Sequence, residues 1–168
     1  MIRRCIAADT AAVYEIINDA VQAYKGIIPS DRWHEPYMPR DELEHEIADG
    51  VEFWGEEADG VLVGVMGIQH RGEVDLIRHA YVRTRARGHG VGTRLLAQLV
   101  RAAQKPLLVG TWAEARWAVR FYEKNGFRLL SRAETEDVLR RFWNIPERQV
   151  ETSVVLASRT WNAPAARA

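Results

Sequence analysis

Cysteine is almost absent from this sequence of 168 residues, and long apolar runs are missing altogether. The single cysteine, Cys5, excludes an internal disulfide framework and a zinc site built on cysteine. The histidines at positions 34, 45, 70 and 89 show no metal-ligand spacing. No stretch approaches the roughly 20 apolar residues that a membrane-spanning helix needs. Asp9 interrupts the N-terminal segment before an apolar run develops, so no signal peptide is predicted. We therefore expect a cytoplasmic protein that binds neither a metal nor a membrane.

Composition and length are those of an ordinary globular protein. The apolar fraction is 47% and the charged fraction is 27%. A chain of this length buries roughly 70% of its unfolded surface when it folds as one domain. No internal repeat or linker divides it. We expect a single domain over residues 1–168, with a frayed tail over 158–168 from which Trp161 can tuck back.

Charge is distributed unevenly although the formal net charge is zero. From Lys25 to Asp59 there are eleven acids and three bases, whereas from Arg78 to Arg148 there are fifteen bases and six acids. The first region suits a cationic ligand and the second a polyanion. For most of these residues individually, a solvated helix face is the simpler explanation.

The pattern of apolar residues predicts alternating strands and helices. Asp59-Gly60 between two apolar runs predicts a β-hairpin, and Arg40 to Ala48 predicts a short helix that buries Leu43 and Ile47. Further strands are predicted over 74–82, 107–112, 127–130 and 150–157, and helices from Val91 and from Ala115 to Lys124, the latter ended by Gly126 in a left-handed C-cap. This order predicts an α+β fold with a central mixed sheet.

Three glycines alternate between a strand and an amphipathic helix, at Gly88, Gly90 and Gly92. Glycine permits positive φ and close approach of a ligand to the backbone. The first turn of the helix adds unpaired N–H groups and the positive end of its dipole, so phosphate is the natural ligand. A dinucleotide fingerprint requires a third glycine where Thr93 stands, and a P-loop requires a lysine after Gly92. Both nucleotide readings therefore fail on spacing.

Two segments together resemble a known family. Arg87-x-x-Gly90-x-Gly92 resembles the coenzyme A loop of the GNAT superfamily of N-acetyltransferases. About thirty residues later, the run Ala118-Val119-Arg120-Phe121-Tyr122-Glu123-Lys124-Asn125-Gly126-Phe127 resembles a second conserved segment of that superfamily. The likeness is specific from about Val61 to Leu130 and general elsewhere, and it points to no particular subfamily.

The resemblance implies a fold, a co-substrate and a binding site. The fold is a GNAT-like three-layer α+β arrangement with a mixed, mostly antiparallel sheet, splayed fourth and fifth strands, and flanking helices. The implied reaction is transfer of the acetyl group of acetyl-coenzyme A to a primary amine by direct attack in a ternary complex. The residues implied in coenzyme A binding are Tyr81, Val82, Arg87, Gly88, His89, Gly90, Val91, Gly92 and Thr93.

Tyr122 matches the tyrosine that in many members protonates the leaving thiolate, a step that a phenol with a pKa near 10 can perform. Packing of its ring beside Phe121 is the alternative explanation. The family often has an asparagine where this chain has Ala115. Arg116 is a candidate to replace that contact by reaching a phosphate.

The general base is less well defined. His79, Glu73 and Asp75 lie on the strand that the resemblance places under the acceptor site, and histidine is a residue type that commonly serves as a general base. A bulge in this strand, common in relatives, would decide which side chains face the same way.

The acceptor is expected to be a cationic small molecule or a lysine-like amine, because the acidic region contains an aromatic residue, Trp33, beside acids. Arg140-Arg141 is too weak a signal for nucleic-acid binding. A homodimer is possible, with the strand over 150–157 as one place for it. Two other functions stay open: a non-catalytic acyl-coenzyme A sensor, and an acyltransferase that uses a longer acyl chain.

Overall fold

The computed structural model describes residues 1–162, so the last six residues of the expected tail lie outside the described part. Seven strands and six α-helices are present within that part. The strands are β1 (Ile2–Arg4), β2 (Glu52–Ala58), β3 (Val61–Arg71), β4 (Val74–Val82), β5 (Leu107–Trp112), β6 (Arg128–Leu129) and β7 (Ser153–Ala157). The helices are α1 (Thr10–Ala20), α2 (Arg40–Ala48), α3 (Val91–Ala102), α4 (Arg116–Lys124), α5 (Arg132–Phe142) and α6 (Glu147–Thr152).

The strands follow the order β1-β2-β3-β4-β5-β7-β6. The fourth and fifth strands are parallel, whereas β1–β2, β2–β3, β5–β7 and β6–β7 pair antiparallel. The predicted mixed sheet with flanking helices is therefore confirmed. The hairpin is confirmed as well, because Asp59 (φ 50°) and Gly60 (φ 76°) both adopt the left-handed conformation that a tight two-residue turn requires.

The chain forms two compact units. The first contains Met1–His70 and Ile77–Ala103, and the second contains Arg71–Leu76 and the described residues from Gln104 onward. The first unit buries side chains of α1, α2, β2 and β3 around Ile16, Ile17 and Leu43. The second unit buries Leu108, Leu139 and Val155 in its own cluster. The expectation of one domain over residues 1–168 stays a prediction.

The structure corrects one predicted strand boundary and one predicted buried residue. Residues 150–152 are helical instead of extended, because Pro146 starts the short helix α6 and β7 begins only at Ser153. In α2, Leu43 is fully buried but Ile47 is exposed. Trp161 does tuck back, and it is 7% exposed within the cluster of the second unit.

The position of β7 also bears on the expected dimer. This strand pairs with β5 on one side and with β6 on the other. Its edge toward β5 is paired along the whole strand, whereas its pairing with β6 covers only Leu156 and Ala157. A homodimer at this strand stays a prediction.

Candidate active site

The loop between β4 and α3 is bent by glycines in the left-handed conformation. We call residues Arg87–Thr93 the glycine turn. Gly88 has φ 79° and Gly90 has φ 75°, and Gly90 is the N-cap residue of α3. In the left-handed conformation a residue other than glycine is destabilised by about 1–2 kcal/mol. The turn is exposed apart from Val91, which is buried, and Gly92, which is half-buried. The backbone of the turn is therefore accessible to a ligand.

The first turn of α3 is held close to the sheet. A Cβ atom on Gly64 of β3 would lie 2.6 Å from the Val91 side chain. The amide groups of Val91, Gly92 and Thr93 lie where the helix itself provides no acceptor, while the amide of Arg94 makes the first helical bond, to the Gly90 carbonyl at 3.0 Å. These amides and the helix dipole favour an anion at this end of the helix.

Arg87 is engaged within the protein at both its side chain and its amide. Its guanidinium donates to the carbonyl of Ala20, at the end of α1, over 2.7 Å. Its backbone N–H donates to the Thr84 carbonyl over 3.3 Å. Arg87 therefore anchors the glycine turn to α1, a contact that the sequence did not reveal.

The predicted pantetheine-binding residues lie at the end of β4. Tyr81 and Val82 are half-buried, and the Tyr81 ring packs edge-on against Tyr24 with 6.2 Å between ring centroids. Arg83, which follows them, donates its backbone N–H to the Val63 carbonyl. The assignment of Tyr81 and Val82 to coenzyme A binding stays a prediction.

His79 adopts φ 50°, which is unusual for a residue with a side chain and marks an irregularity in β4. Its Nε2 atom lies 3.1 Å from Oε2 of Glu46 in α2. Arg78 donates to both oxygens of the same carboxylate, at 2.9 and 2.8 Å. Burial alone would raise the pKa of Glu46, but hydrogen bonding and charge from His79, and then from Arg78, outweigh it and lower that pKa to about 2. Glu46 is thus an ionised acceptor beside His79.

The other two candidate bases belong to the second unit. Glu73 is exposed and forms an ion pair with Arg141. Asp75 is completely buried, and its backbone N–H donates to the Pro106 carbonyl. Of the three candidates, His79 is thus the one that contacts the half-buried, ionised carboxylate of Glu46.

Tyr122 and Arg116 also belong to the second unit, on α4. Tyr122 is 5% exposed, and its ring meets Phe121 and Phe127 edge-on, with centroid distances of 5.0 and 5.8 Å. Ala115 is fully buried at the N-cap of α4 and makes no side-chain cap. Arg116 is exposed beside it. Gly126 has the predicted left-handed conformation, with φ 88°.

Part of the charge of the acidic region is neutralised from within the chain. Its eleven acids include several that form salt bridges: Glu35, Glu46, Glu52, Glu56 and Glu57, with Lys25, Arg78, Arg4, Arg94 and Arg3 respectively. The exposed acids at the start of α2 are Asp41, Glu42 and Glu44. The charge count of this region therefore overstates the charge available to a ligand.

Trp33 already has a cation beside it. The Lys25 ammonium lies 5.9 Å from the centroid of the Trp33 ring and 3.6 Å from Oε1 of Glu35. The Trp33 indole N–H donates to that same carboxylate over 3.1 Å. Ring and carboxylate thus form an arrangement that suits an ammonium group.

Among residues 1–162, no three His, Cys, Asp or Glu side chains group in a way that would hold a metal ion. Over the same residues, no helix combines the length and the apolarity needed to cross a membrane.

Comparison with known proteins decides the family. The family model described as the acetyltransferase (GNAT) domain matches residues 16–142, a range that contains the glycine turn, His79 and Tyr122. This protein belongs to the GNAT family of acetyltransferases. No curated protein sequence gives a significant match.

Solved structures of GNAT proteins share the fold. An acetyltransferase of the GNAT family from Staphylococcus aureus superposes with a TM-score of 0.71 at 19% identity, covering 94% of this chain and 97% of that one. The PaiA N-acetyltransferase of Thermoplasma acidophilum, in complex with coenzyme A, gives a TM-score of 0.71 at 17% identity with the same coverage. A ribosomal-protein-alanine N-acetyltransferase from Brucella melitensis gives 0.61 at 26% identity, over 78% of this chain and 86% of that one.

Proposed function

We propose that this GNAT protein transfers the acetyl group of acetyl-coenzyme A to a primary amine of a small-molecule or lysine-like acceptor. The observation that carries the proposal is the glycine turn, where two left-handed glycines precede the first turn of α3, whose amides have no acceptor within the helix. The GNAT relative from Thermoplasma acidophilum was solved with coenzyme A, which supports this choice of co-substrate.

In the proposed reaction the free amine attacks the thioester carbonyl carbon directly. A C–N bond forms, and the tetrahedral intermediate then collapses with cleavage of the C–S bond. The amine nitrogen loses one proton, and the departing sulfur takes up one. We assign the glycine turn, with Tyr81 and Val82, to binding of acetyl-coenzyme A, and Arg116 to a further phosphate contact.

His79 is the proposed base, and its neighbour fixes which nitrogen would act. The ionised Glu46 carboxylate can only accept a hydrogen bond, so Nε2 of His79 carries the proton in their contact. In the neutral ring Nδ1 then has the free lone pair. A proton leaving the amine, directly or through water, would therefore arrive at Nδ1.

Tyr122 is the proposed acid that protonates the leaving thiolate. We expect Tyr122→Phe to lower kcat by about 100-fold, the usual contribution of a general acid, with little change in the Kd of acetyl-coenzyme A. Thiol release at saturating substrates and calorimetry of coenzyme A binding measure the two quantities. Tyr14→Phe, a half-buried tyrosine of α1, is the matched control. Equal turnover of Tyr122→Phe and the unaltered protein would remove Tyr122 from this role.

The alternative of an acyl-coenzyme A sensor is favoured by one observation, the buried Ala115 where the family often has an asparagine. Tight acetyl-coenzyme A binding without thiol release across a broad panel of amines would support the sensor. Turnover only with longer acyl chains would instead identify an acyltransferase with a different donor.

The arrangement of Trp33, Glu35 and Lys25 supports a cationic acceptor, because this loop already stabilises an ammonium group. A panel that contains diamines, lysine-bearing peptides and neutral amines of equal size tests it. We expect the highest kcat/KM for acceptors with a second positive charge. A preference for neutral or anionic acceptors would contradict this proposal.

A further inference from the structure

A charged pair beneath the glycine turn has no part in the reaction proposed above. Arg94, in the first turns of α3, donates to both carboxylate oxygens of Glu56 in β2, with its shortest contact, from Nη2 to Oε1, at 2.7 Å. Glu56 is 8% exposed, whereas half of the Arg94 side chain is exposed. A buried carboxylate is held in place by a paired, hydrogen-bonded partner, so each residue fixes the other.

The absence of a side chain at Gly64 allows the fold to bring Arg94 and Glu56 together. Glu56 lies directly opposite Gly64 in the β2–β3 pairing, and the two strands shift register after Glu56. Because Gly64 has no Cβ, Val91 packs directly against β3 at that point. The start of α3 is thereby close enough to β2 for Arg94 to reach Glu56.

Arg94 makes a third contact, and this one is with the glycine turn itself. Its Nη1 atom donates to the carbonyl of His89 over 2.9 Å. A Cβ atom at Gly90 would lie 2.9 Å from the same Nη1 atom, closer than such contacts occur. The guanidinium thus occupies the space that a side chain at position 90 would need.

Fixing a carbonyl fixes the amide of the same peptide group. In a trans peptide the C=O and the following N–H point in opposite directions. Arg94 therefore sets the direction of the Gly90 N–H through the His89 carbonyl. The His89 ring does the same for the Gly88 N–H, since its Nδ1 atom contacts the Arg87 carbonyl over 2.9 Å. Two carbonyls of the turn are held by side chains, and the amides of two glycines point the other way.

We propose that Arg94, anchored on Glu56, is a positioning residue that orients the Gly90 N–H toward the pyrophosphate of acetyl-coenzyme A. Glu56 acts only through Arg94, because its carboxylate would repel the phosphates. The inference rests on the proposed function, since it assumes that the glycine turn binds this co-substrate. It adds to that function the reason why the turn holds one conformation before the ligand arrives.

Direct contact between Arg94 and a phosphate is the competing explanation, and removal of Glu56 separates the two. If Arg94 bound phosphate directly, Glu56→Gln would release its guanidinium and leave the affinity equal or higher. If Arg94 positions the turn, Glu56→Gln loosens it and lowers the affinity. The variants required are Arg94→Met, Arg94→Lys, Glu56→Gln and the double variant Arg94→Met/Glu56→Gln.

We expect Arg94→Met to raise the Kd of coenzyme A about tenfold, the effect of losing charge-assisted hydrogen bonds. Glu56→Gln should raise it several-fold, about threefold to fivefold by the same reasoning. The double variant should bind no more weakly than Arg94→Met, because coupled residues are not additive. Arg94→Lys should be intermediate, since one ammonium cannot span both acceptors. For all four, kcat at saturating acetyl-coenzyme A should stay unchanged while its KM rises.

Arg101→Met is the matched control, because Arg101 lies on the same helix and, among residues 1–162, donates only to Gln98. Circular dichroism melts verify that each variant is folded, and Glu56→Gln provides the test if Arg94→Met does not fold. An unchanged or lower Kd in Glu56→Gln would overturn the inference, as would an equal loss of affinity in Arg101→Met. If the unaltered protein does not bind coenzyme A, the proposed function fails instead.

Discussion

The glycine turn and the Trp33 loop, residues 25–39, are both surface segments of the first unit, and both were expected to bind a charged group. They differ in whether their charge-binding groups are already engaged by other residues of the protein. In the turn, the carbonyls of Arg87 and His89 are engaged by side chains, while the first-turn amides of α3 have no acceptor within the helix. In the loop, the ring of Trp33 and the carboxylate of Glu35 already contact Lys25.

The difference shows that a site made of backbone groups keeps its charge for a ligand better than one made of surface side chains. Amides in the first turn of a helix have no partner within it, and the positive end of the dipole persists at any pH. Acids at or near the surface, in contrast, pair with bases nearby, as Glu52 does with Arg4 and Glu57 with Arg3. A regional excess of acids is therefore weaker evidence for a ligand than two left-handed glycines.

The largest expected effect comes from substitutions in the glycine turn itself. Gly90→Ala requires a left-handed alanine and displaces Arg94, whereas Gly88→Ala has the same backbone strain with nothing within 4 Å of the new Cβ. We expect the Kd of acetyl-coenzyme A to rise about 30-fold or more for Gly90→Ala and about fivefold for Gly88→Ala, since strain near 1–2 kcal/mol is common to both. Calorimetry of both variants measures the difference. Equal losses would show that the contact with Arg94 is irrelevant.

The next effect concerns Glu46, an acid whose charge is paired with Arg78 and His79 within the protein. The pKa of Glu46 falls from 4.5 to about 2 on folding, so its contribution to stability is present above pH 4.5 and is lost as pH falls toward 2. We expect Glu46→Gln to lower the free energy of unfolding by at most ~3 kcal/mol at pH 7. The difference from the unaltered protein should shrink below pH 4.5.

Urea denaturation between pH 2 and pH 7 tests this prediction, with Glu44→Gln as the control because Glu44 is an exposed acid of the same helix. A deficit of equal size at both ends of the range would contradict the assignment of an ionised Glu46 beside His79 and Arg78. Glu44→Gln should show little change across the range.

The smallest expected effect concerns the Trp33 loop. Lys25→Met removes the ammonium group beside Trp33 and Glu35, so both become available to an acceptor. We expect the KM of cationic amines to fall about twofold to threefold, which matches the small energy of an exposed cation–π contact. Steady-state kinetics with a diamine measures it, and Lys105→Met, an exposed lysine of the second unit, is the control. A rise in KM would show that Lys25 supports the acceptor site instead of occupying it.

Local signals in the sequence predicted a good part of the fold. The hairpin at Asp59-Gly60, the C-cap at Gly126 and the apolar stripe of α3 all depend on residues that are close in the chain. The helix α5 was not predicted, although the sequence contains its start signal. Ser131 and Glu134 form a capping box in the structure. Ile47 was predicted to be buried but is exposed, because α2, a helix of nine residues, has only one buried position, Leu43.

In the candidate site, too, the local conformation was predictable and the long-range contacts were not. The conformation of the glycine turn was predictable, because glycines at alternate positions before a helix have few other uses. The partners of its side chains were not. Glu56 lies 38 residues from Arg94, and Glu46 lies 32 and 33 residues from Arg78 and His79. Contacts over such separations depend on strand register and helix packing, which one sequence does not specify.

A titration of the backbone amides by nuclear magnetic resonance would test most directly whether the glycine turn binds the pyrophosphate of acetyl-coenzyme A. The titrant is acetyl-coenzyme A, and S-acetylpantetheine, which lacks the pyrophosphate, is the comparison. We predict that the largest shifts occur at the amides of Gly88, Gly90 and Gly92, and only with acetyl-coenzyme A. Binding of acetyl-coenzyme A that leaves these amides unchanged, or equal shifts with both compounds, would contradict the account.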